Sequence, residues 1–137
     1  MRPFPACLLL FVFASSCPAL EGEPCLPDGV TAEDFFNQRI RPVLADQCWR
    51  CHGQHKQRNG LRLDSRDAVL QGGHIVDVNP GHPETSRLID AIGTEDGDLH
   101  MPPDATLSAA QIADFATWVR LGVPWAEAKA GGACSWP

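Results

Sequence analysis

Apolar residues recur along this chain at helical rather than strand spacing. Phe35, Phe36, Ile40, Val43 and Leu44 fall on one face of a helix that Thr31 and Asp34 open as a capping box, and this first helix is predicted to run into Cys48. Pro42 lies inside it without an amide hydrogen, which predicts a bend or a weak point there. The stretch Gly60 to Leu70 reads as extended at Leu61 and Leu63, then as a short helix that stops at Gly72-Gly73. From Gly81 to Ile92 a third helix is predicted, with Pro83 in its first turn, Leu88, Ile89 and Ile92 inward, and Gly93 at its end. The last helix has the clearest start: Ser108 caps, Gln111 reciprocates three residues on, and Leu107 staples to Ile112. Its inward stripe is Ile112, Phe115, Ala116 and Val119 with Trp118 at the flank, and Gly122 and Pro124 end it. It is expected to pack on the first helix, Phe115 or Trp118 meeting Phe35 or Phe36. With no alternating strand pattern of useful length and no internal repeat, the fold class is mainly α.

Residues 1–19 do not belong to that pattern. Arg2 supplies a positive start, Ala6 to Ala14 an apolar stretch, and Ser15, Ser16 and Ala19 small residues suited to cleavage, the layout of an export signal. The apolar stretch falls well short of the roughly 20 residues that a membrane-spanning helix needs, so no span is expected. Cys17 follows Ala14-Ser15-Ser16 and keeps open a lipid anchor as an alternative. The organisation is then a signal peptide over 1–19, an extension over 20–30, one domain over 31–125 and a flexible tail over 126–137. Export would place the domain in the periplasm or another extracytoplasmic compartment.

Length and charge narrow the function. The 137 residues (14.9 kDa) fit one small domain. Eleven Lys plus Arg against 17 Asp plus Glu give a net charge of −6, a poor match for nucleic acid. Without 1–19 the large aromatics are Phe35, Phe36, Phe115 and the four Trp, with no Tyr. So small a core calls for a disulfide, a metal or a bound cofactor.

The cysteines answer that need. Cys48-Trp49-Arg50-Cys51-His52 is the CxxCH pattern, in which two thiols add to the vinyl groups of one haem and the histidine binds its iron. A thioredoxin-like dithiol also uses CxxC, but there it opens a helix inside a βαβ unit, whereas this pair closes one. Zinc held by Cys48, Cys51, His52 and His55 would have all four ligands within eight residues, too little chain to wrap a tetrahedral ion. Cys25 and Cys134 stand apart at the two ends and form a candidate disulfide in an oxidising compartment, two unpaired thiols being the alternative.

Once Met1 leaves with the signal, Met101 is the single methionine and the leading sixth ligand. A thioether is a soft donor suited to haem iron, and Pro102-Pro103 stiffen its loop. The bland reading is a methionine filling a gap in the core. Among the histidines, His55, His74 and His82 read as surface or turn residues, while His100, next to Met101, is the serious rival. His/Met ligation would raise the reduction potential relative to bis-histidine, and an open position would admit peroxide, oxygen or carbon monoxide. Arg50, Lys56, Arg58, Arg62 and Arg66 cluster around the motif and suit haem propionates, a docking patch or simply a solvated face.

At this point the ordered set of motifs resembles the planctomycete-type cytochrome c domain over about Phe35 to Trp125. The matching pieces are Ile40-Arg41-Pro42-Val43-Leu44, Cys48-Trp49-Arg50-Cys51-His52-Gly53, Gly60-Leu61-Arg62-Leu63-Asp64, Gly72-Gly73, Pro80 to Ile89, Met101-Pro102-Pro103 and Gly122-Val123-Pro124-Trp125. The resemblance implies a small cytochrome c-like helical domain wrapped around one covalent haem c, with Cys48 and Cys51 as attachment points and His52 and Met101 as axial ligands. It implies an electron carrier rather than a substrate-transforming enzyme, with a redox protein of unknown identity as partner. The alternatives are a haem peroxidase or a gas or redox sensor with a labile distal site, or the haem module of a larger exported protein.

Overall fold

Thr31 opens the first helical run, α1 (32–48): its Oγ1 accepts from the Asp34 amide at 3.1 Å and the Asp34 carboxylate accepts from the Thr31 amide at 3.4 Å. The computed structural model in which this is seen describes residues 26, 27, 29–95 and 97–126. The expected signal segment, Cys17, Cys25, Cys134 and the tail from residue 127 on lie outside the described residues.

The run begins as α-helix at Ala32–Phe35 and widens into two π-type turns, Phe36–Ile40 and Leu44–Cys48, on either side of Arg41–Val43. Pro42 sits between them. Widening lets the Arg41 amide reach back to the Phe36 carbonyl and the Trp49 amide to the Leu44 carbonyl, so the helical run passes through the proline without breaking. The weak point predicted at Pro42 thus takes the form of loosened turns. It also shifts the buried face: Phe35, Phe36, Ile40 and Leu44 are buried, while Val43 is only half-buried.

Helix α2 (Arg66–Gln71) follows the extended stretch as expected, capped by Ser65, whose hydroxyl accepts from the Ala68 amide, and closed by Gly72. Helix α3 (Arg87–Gly93) starts later than predicted. Pro83–Thr85 forms a separate 3-10 turn, and Ser86 between the two is extended at φ −84°, ψ 108°. The break is held by side-chain bonds that compete with helix: Ser86 Oγ accepts from the Asn79 amide at 2.8 Å and donates to the His82 carbonyl at 2.9 Å. The new helix start is capped from a distance by Asp77, whose carboxylate accepts from the Arg87 amide and whose carbonyl accepts from that of Leu88.

Helix α4 (Ala109–Arg120) has the predicted capping box of Ser108 and Gln111. It packs on the π turn of α1 that begins at Phe36 and on α3. Phe36 stacks on Trp118 with ring centroids 6.2 Å apart, and Trp125 closes on Phe36 at 4.4 Å. Trp118 is therefore at the centre of the core rather than at its flank, its indole N–H donating to the Pro124 carbonyl at 2.8 Å, while Ile112 and Ala116 are only half-buried. Arg66 caps the far end of α4, donating to the carbonyls of Val123 and Gly122. Among the described residues there is no strand, only an isolated bridge between His52 and Gln57.

Candidate functional site

The second π turn of α1 ends on Cys48, and the chain then folds tightly back on itself. The amides of Cys51 and His52 both donate to the Cys48 carbonyl, at 3.0 and 2.9 Å. The Gly53 amide donates to the Lys56 carbonyl and the Arg58 amide to the Cys51 carbonyl, which closes a small loop over 51–58. Gly53 is the one residue that fits: a Cβ there would stand 2.5 Å from the Trp49 carbonyl oxygen.

The extended stretch 61–63 straps this loop in place through three bonds. The Trp49 indole N–H donates to the Leu63 carbonyl at 2.6 Å, the Leu63 amide donates to the His52 carbonyl at 2.8 Å, and His52 Nδ1 lies 3.3 Å from the Leu61 carbonyl. A carbonyl accepts only from a protonated nitrogen, so this contact assigns the proton to Nδ1 and leaves Nε2 with its lone pair. His52 is buried, and burial lowers its pKa from the ordinary value, helped by the positive charge of Arg58 and opposed by the bond to Leu61. The neutral imidazole, the form that binds a metal, is the one favoured. Burial likewise pushes the Cys48 thiol up to about 12. That is the reverse of a redox-active dithiol, which needs a lowered thiol pKa at a helix N-terminus.

Cys48, Cys51 and His52 line a cleft of about 360 Å³ together with Met101. Leu61 and Leu63 contribute apolar wall from the strap, and Leu88, Ala91 and Ile92 from α3. Both cysteines are free thiols. Met101 is half-buried, and its amide donates at 2.9 Å to the carbonyl of Ala91, one of the α3 carbonyls without a partner inside the helix. A soft thioether, a neutral imidazole nitrogen and two thiols around an apolar cleft make a donor set that fits a covalently held haem.

The other histidines are placed differently. His55, His74 and His82 are exposed and outside the cleft lining; His74 lies against Gly60, and His82 Nδ1 is 3.0 Å from the Glu84 carboxylate. His100 lines the cleft, but Nδ1 faces the Thr94 carbonyl and Nε2 lies 3.1 Å from that of Ala105, so both ring nitrogens point at backbone.

The cations around the motif divide. Arg62 pairs with Asp64 and Arg66 with the end of α4, whereas Arg50 and Arg58 line the cleft and Lys56 is exposed. Arg50 reaches across to Asp104 in the Met101 loop at 2.8 Å. That link, like the strap bonds of Trp49 and the Leu61 carbonyl, has no sequence signature, since each partner is a backbone carbonyl or an ordinary surface charge.

Residues 48–105 match the family model described as Planctomycete cytochrome C. The matched segment runs from the first cysteine of the motif to the end of the Met101 loop, and so includes all four candidate haem-binding residues. No curated protein and no solved structure matches the chain.

Proposed function

We propose that this chain, whose residues 48–105 are of the planctomycete cytochrome C type, is a single-electron carrier that holds one haem c through Cys48 and Cys51, with His52 and Met101 as axial ligands. The observation that carries the reading is the meeting of two cysteines, a histidine with a free Nε2 and the Met101 thioether on one apolar cleft. Bound haem c supplies a one-electron iron couple.

The chain's own residues do the rest. Cys48 and Cys51 would hold the haem covalently, each as a thioether to one of its vinyl groups. The Leu61 carbonyl holds the His52 ring by its Nδ1–H, and a carbonyl in that role raises the basicity of Nε2. Leu61, Leu63, Leu88 and Ile92 line the cleft and would exclude water from a bound haem, which would favour the less charged reduced state and raise the potential. The Met101 thioether on the cleft wall would bind the iron beside His52 and act in the same direction, favouring electron exchange over substrate chemistry. Export by the 1–19 segment delivers the chain to an extracytoplasmic compartment, where the haem is attached and a redox protein accepts or donates the electron.

The test is an optical spectrum of the full chain, produced in a host that matures c-type cytochromes, oxidised and reduced, repeated with Met101→Ala. Covalent haem with a near-infrared sulfur-to-iron band that disappears in the variant is the expected result. Covalent haem without that band removes Met101 from the iron and redirects attention to ligand binding or peroxide chemistry. Absence of covalent haem overturns the reading.

A further inference from the structure

Met101 is carried by a loop, 94–105, whose described residues form only turns and bends and which must still present a sulfur in a fixed place. Its start is firmly tied: Thr94 donates from its amide at 2.9 Å and from its hydroxyl at 2.7 Å to the Asp90 carbonyl of α3. Its end, at Ala105, leads into buried Leu107 and the Ser108 cap of α4. The imidazole of His100 lies between these two ends, with Nδ1 on the Thr94 carbonyl and Nε2 at 3.1 Å from the Ala105 carbonyl. The next residue in the chain is Met101 itself.

We propose that His100 is a positioning residue for Met101: its ring ties the residue next to Met101 to the anchored start of the loop at the Thr94 carbonyl and packs against the loop's end at Ala105, and so holds the thioether in place to ligate the iron. The proposal rests on the reading of Met101 as axial ligand. A sulfur–iron bond competes with loop opening, so the fraction of molecules with an open sixth position depends on how well the loop is preorganised. Two other bonds within the loop, His100 N to Gly97 O at 3.2 Å and Ala105 N to Pro102 O at 3.3 Å, are long and local. The Arg50–Asp104 bridge that also reaches the loop is about three-quarters exposed on both partners, and such pairs hold little. Beside the Met101 amide bond to the Ala91 carbonyl, the half-buried imidazole is the side chain that ties the residue before Met101 to the anchored base of the loop: the shorter contact assigns the N–H to Nδ1, donating to the Thr94 carbonyl, while Nε2 lies beside the Ala105 carbonyl and faces backbone.

The experiment compares haem-loaded full-length wild type, His100→Ala, His100→Gln and Met101→Ala, reading covalent haem, the near-infrared sulfur-to-iron band and carbon monoxide binding by the ferrous protein. His100→Ala is expected to keep its covalent haem, to lose most of the band and to bind carbon monoxide about tenfold more readily than wild type, as the open fraction rises. His100→Gln, whose amide donates to a carbonyl, is expected to restore both towards wild type. Wild-type behaviour in folded His100→Ala overturns the proposal. Where His100→Ala does not fold, His100→Leu keeps the volume without the donor, and failure of both to fold assigns His100 to the fold at large and overturns the proposal as well. A wild type that itself lacks the band overturns Met101 ligation instead, and is told apart because no variant is needed to see it.

Discussion

Trp49 donates its indole N–H to the carbonyl of Leu63 at 2.6 Å, and the Leu63 amide donates to the carbonyl of His52. The first of the two residues between the cysteines is thereby locked to the strap that aligns the histidine. Trp49→Phe keeps the ring and removes the donor. The expected cost is about 1–2 kcal/mol, the usual loss when a partly buried carbonyl is left without its partner. Thermal unfolding of the haem-loaded chain checks it: a midpoint lowered by about 4–8 °C per kcal/mol is expected for a domain of this size. An unchanged midpoint would make the bond incidental.

Gly53 and Gly93 should respond to alanine with opposite signs. At Gly53 the new Cβ meets the Trp49 backbone carbonyl at 2.5 Å, and neither partner is a flexible side chain, so the CxxCH turn must open. We expect Gly53→Ala to destabilise by about 1–3 kcal/mol or more and to lower the yield of covalent haem. At Gly93, the last residue of α3, a Cβ meets nothing within 4 Å and the φ is not positive. Gly93→Ala is expected to stabilise by about 0.4–1 kcal/mol, because alanine loses less backbone freedom on folding. Denaturant titrations of the two variants side by side measure both signs.

What was legible in advance follows from how local each cause is. The capping boxes at Thr31 and Ser108 involve residues three apart and were readable, as were the stops at Gly72 and Gly122. The spacing of Cys48, Cys51 and His52 and the lone methionine beyond residue 19, Met101, singled out four residues in the sequence, and the structure brings all four to the lining of one cleft. The break at Ser86 was not readable, since Asp77 and Asn79 compete for that backbone from seven to ten residues away. Nor was the place of Trp118, which depends on the Pro124 carbonyl and on the stack with Phe36. The bend or weak point expected at Pro42 takes the form of widened turns on either side of it, a choice of bonding that the proline alone does not specify.

Cys48 provides a pH test. Its thiol is pushed up to about 12 by burial, against 9.0 for the free group. Before haem attachment it should therefore stay protonated at neutral pH and react slowly with iodoacetamide, and denaturant should abolish that protection. The sign for stability follows from a folded pKa above the unfolded one: the contribution is complete below pH 9 and is lost as the pH rises towards 12, where the unfolded chain has already released its proton. Unfolding of the haem-free chain at pH 8 and at pH 10–11 should show this loss, and Cys48→Ala should remove part of it. Fast alkylation of Cys48 at pH 7 in the folded chain would contradict the burial argument.

Arg50 and Arg66 flank the same motif and should behave differently. The Arg50–Asp104 bridge is 73% and 74% exposed on its two side chains, and exposed pairs contribute about 0–1 kcal/mol. Arg66 instead donates to two carbonyls at the end of α4, Val123 at 3.0 Å and Gly122 at 3.3 Å. Val123 is buried and β-branched, yet held at φ +59°, a left-handed conformation costing about 1–3 kcal/mol that persists only where its surroundings enforce it. Arg66→Gln removes part of that enforcement and should cost about 1–2 kcal/mol, while Arg50→Gln should stay within about 0.5 kcal/mol of wild type. The same pair separates fold from recognition. Arg50 lines the cleft, so its loss should change the salt dependence of electron exchange with a charged partner, and loss of Arg66 should leave that dependence unaltered. Stopped-flow exchange rates at two ionic strengths, set beside the unfolding data, decide it: equal salt slopes for the wild type and Arg50→Gln would mean that Arg50 does not steer a charged partner.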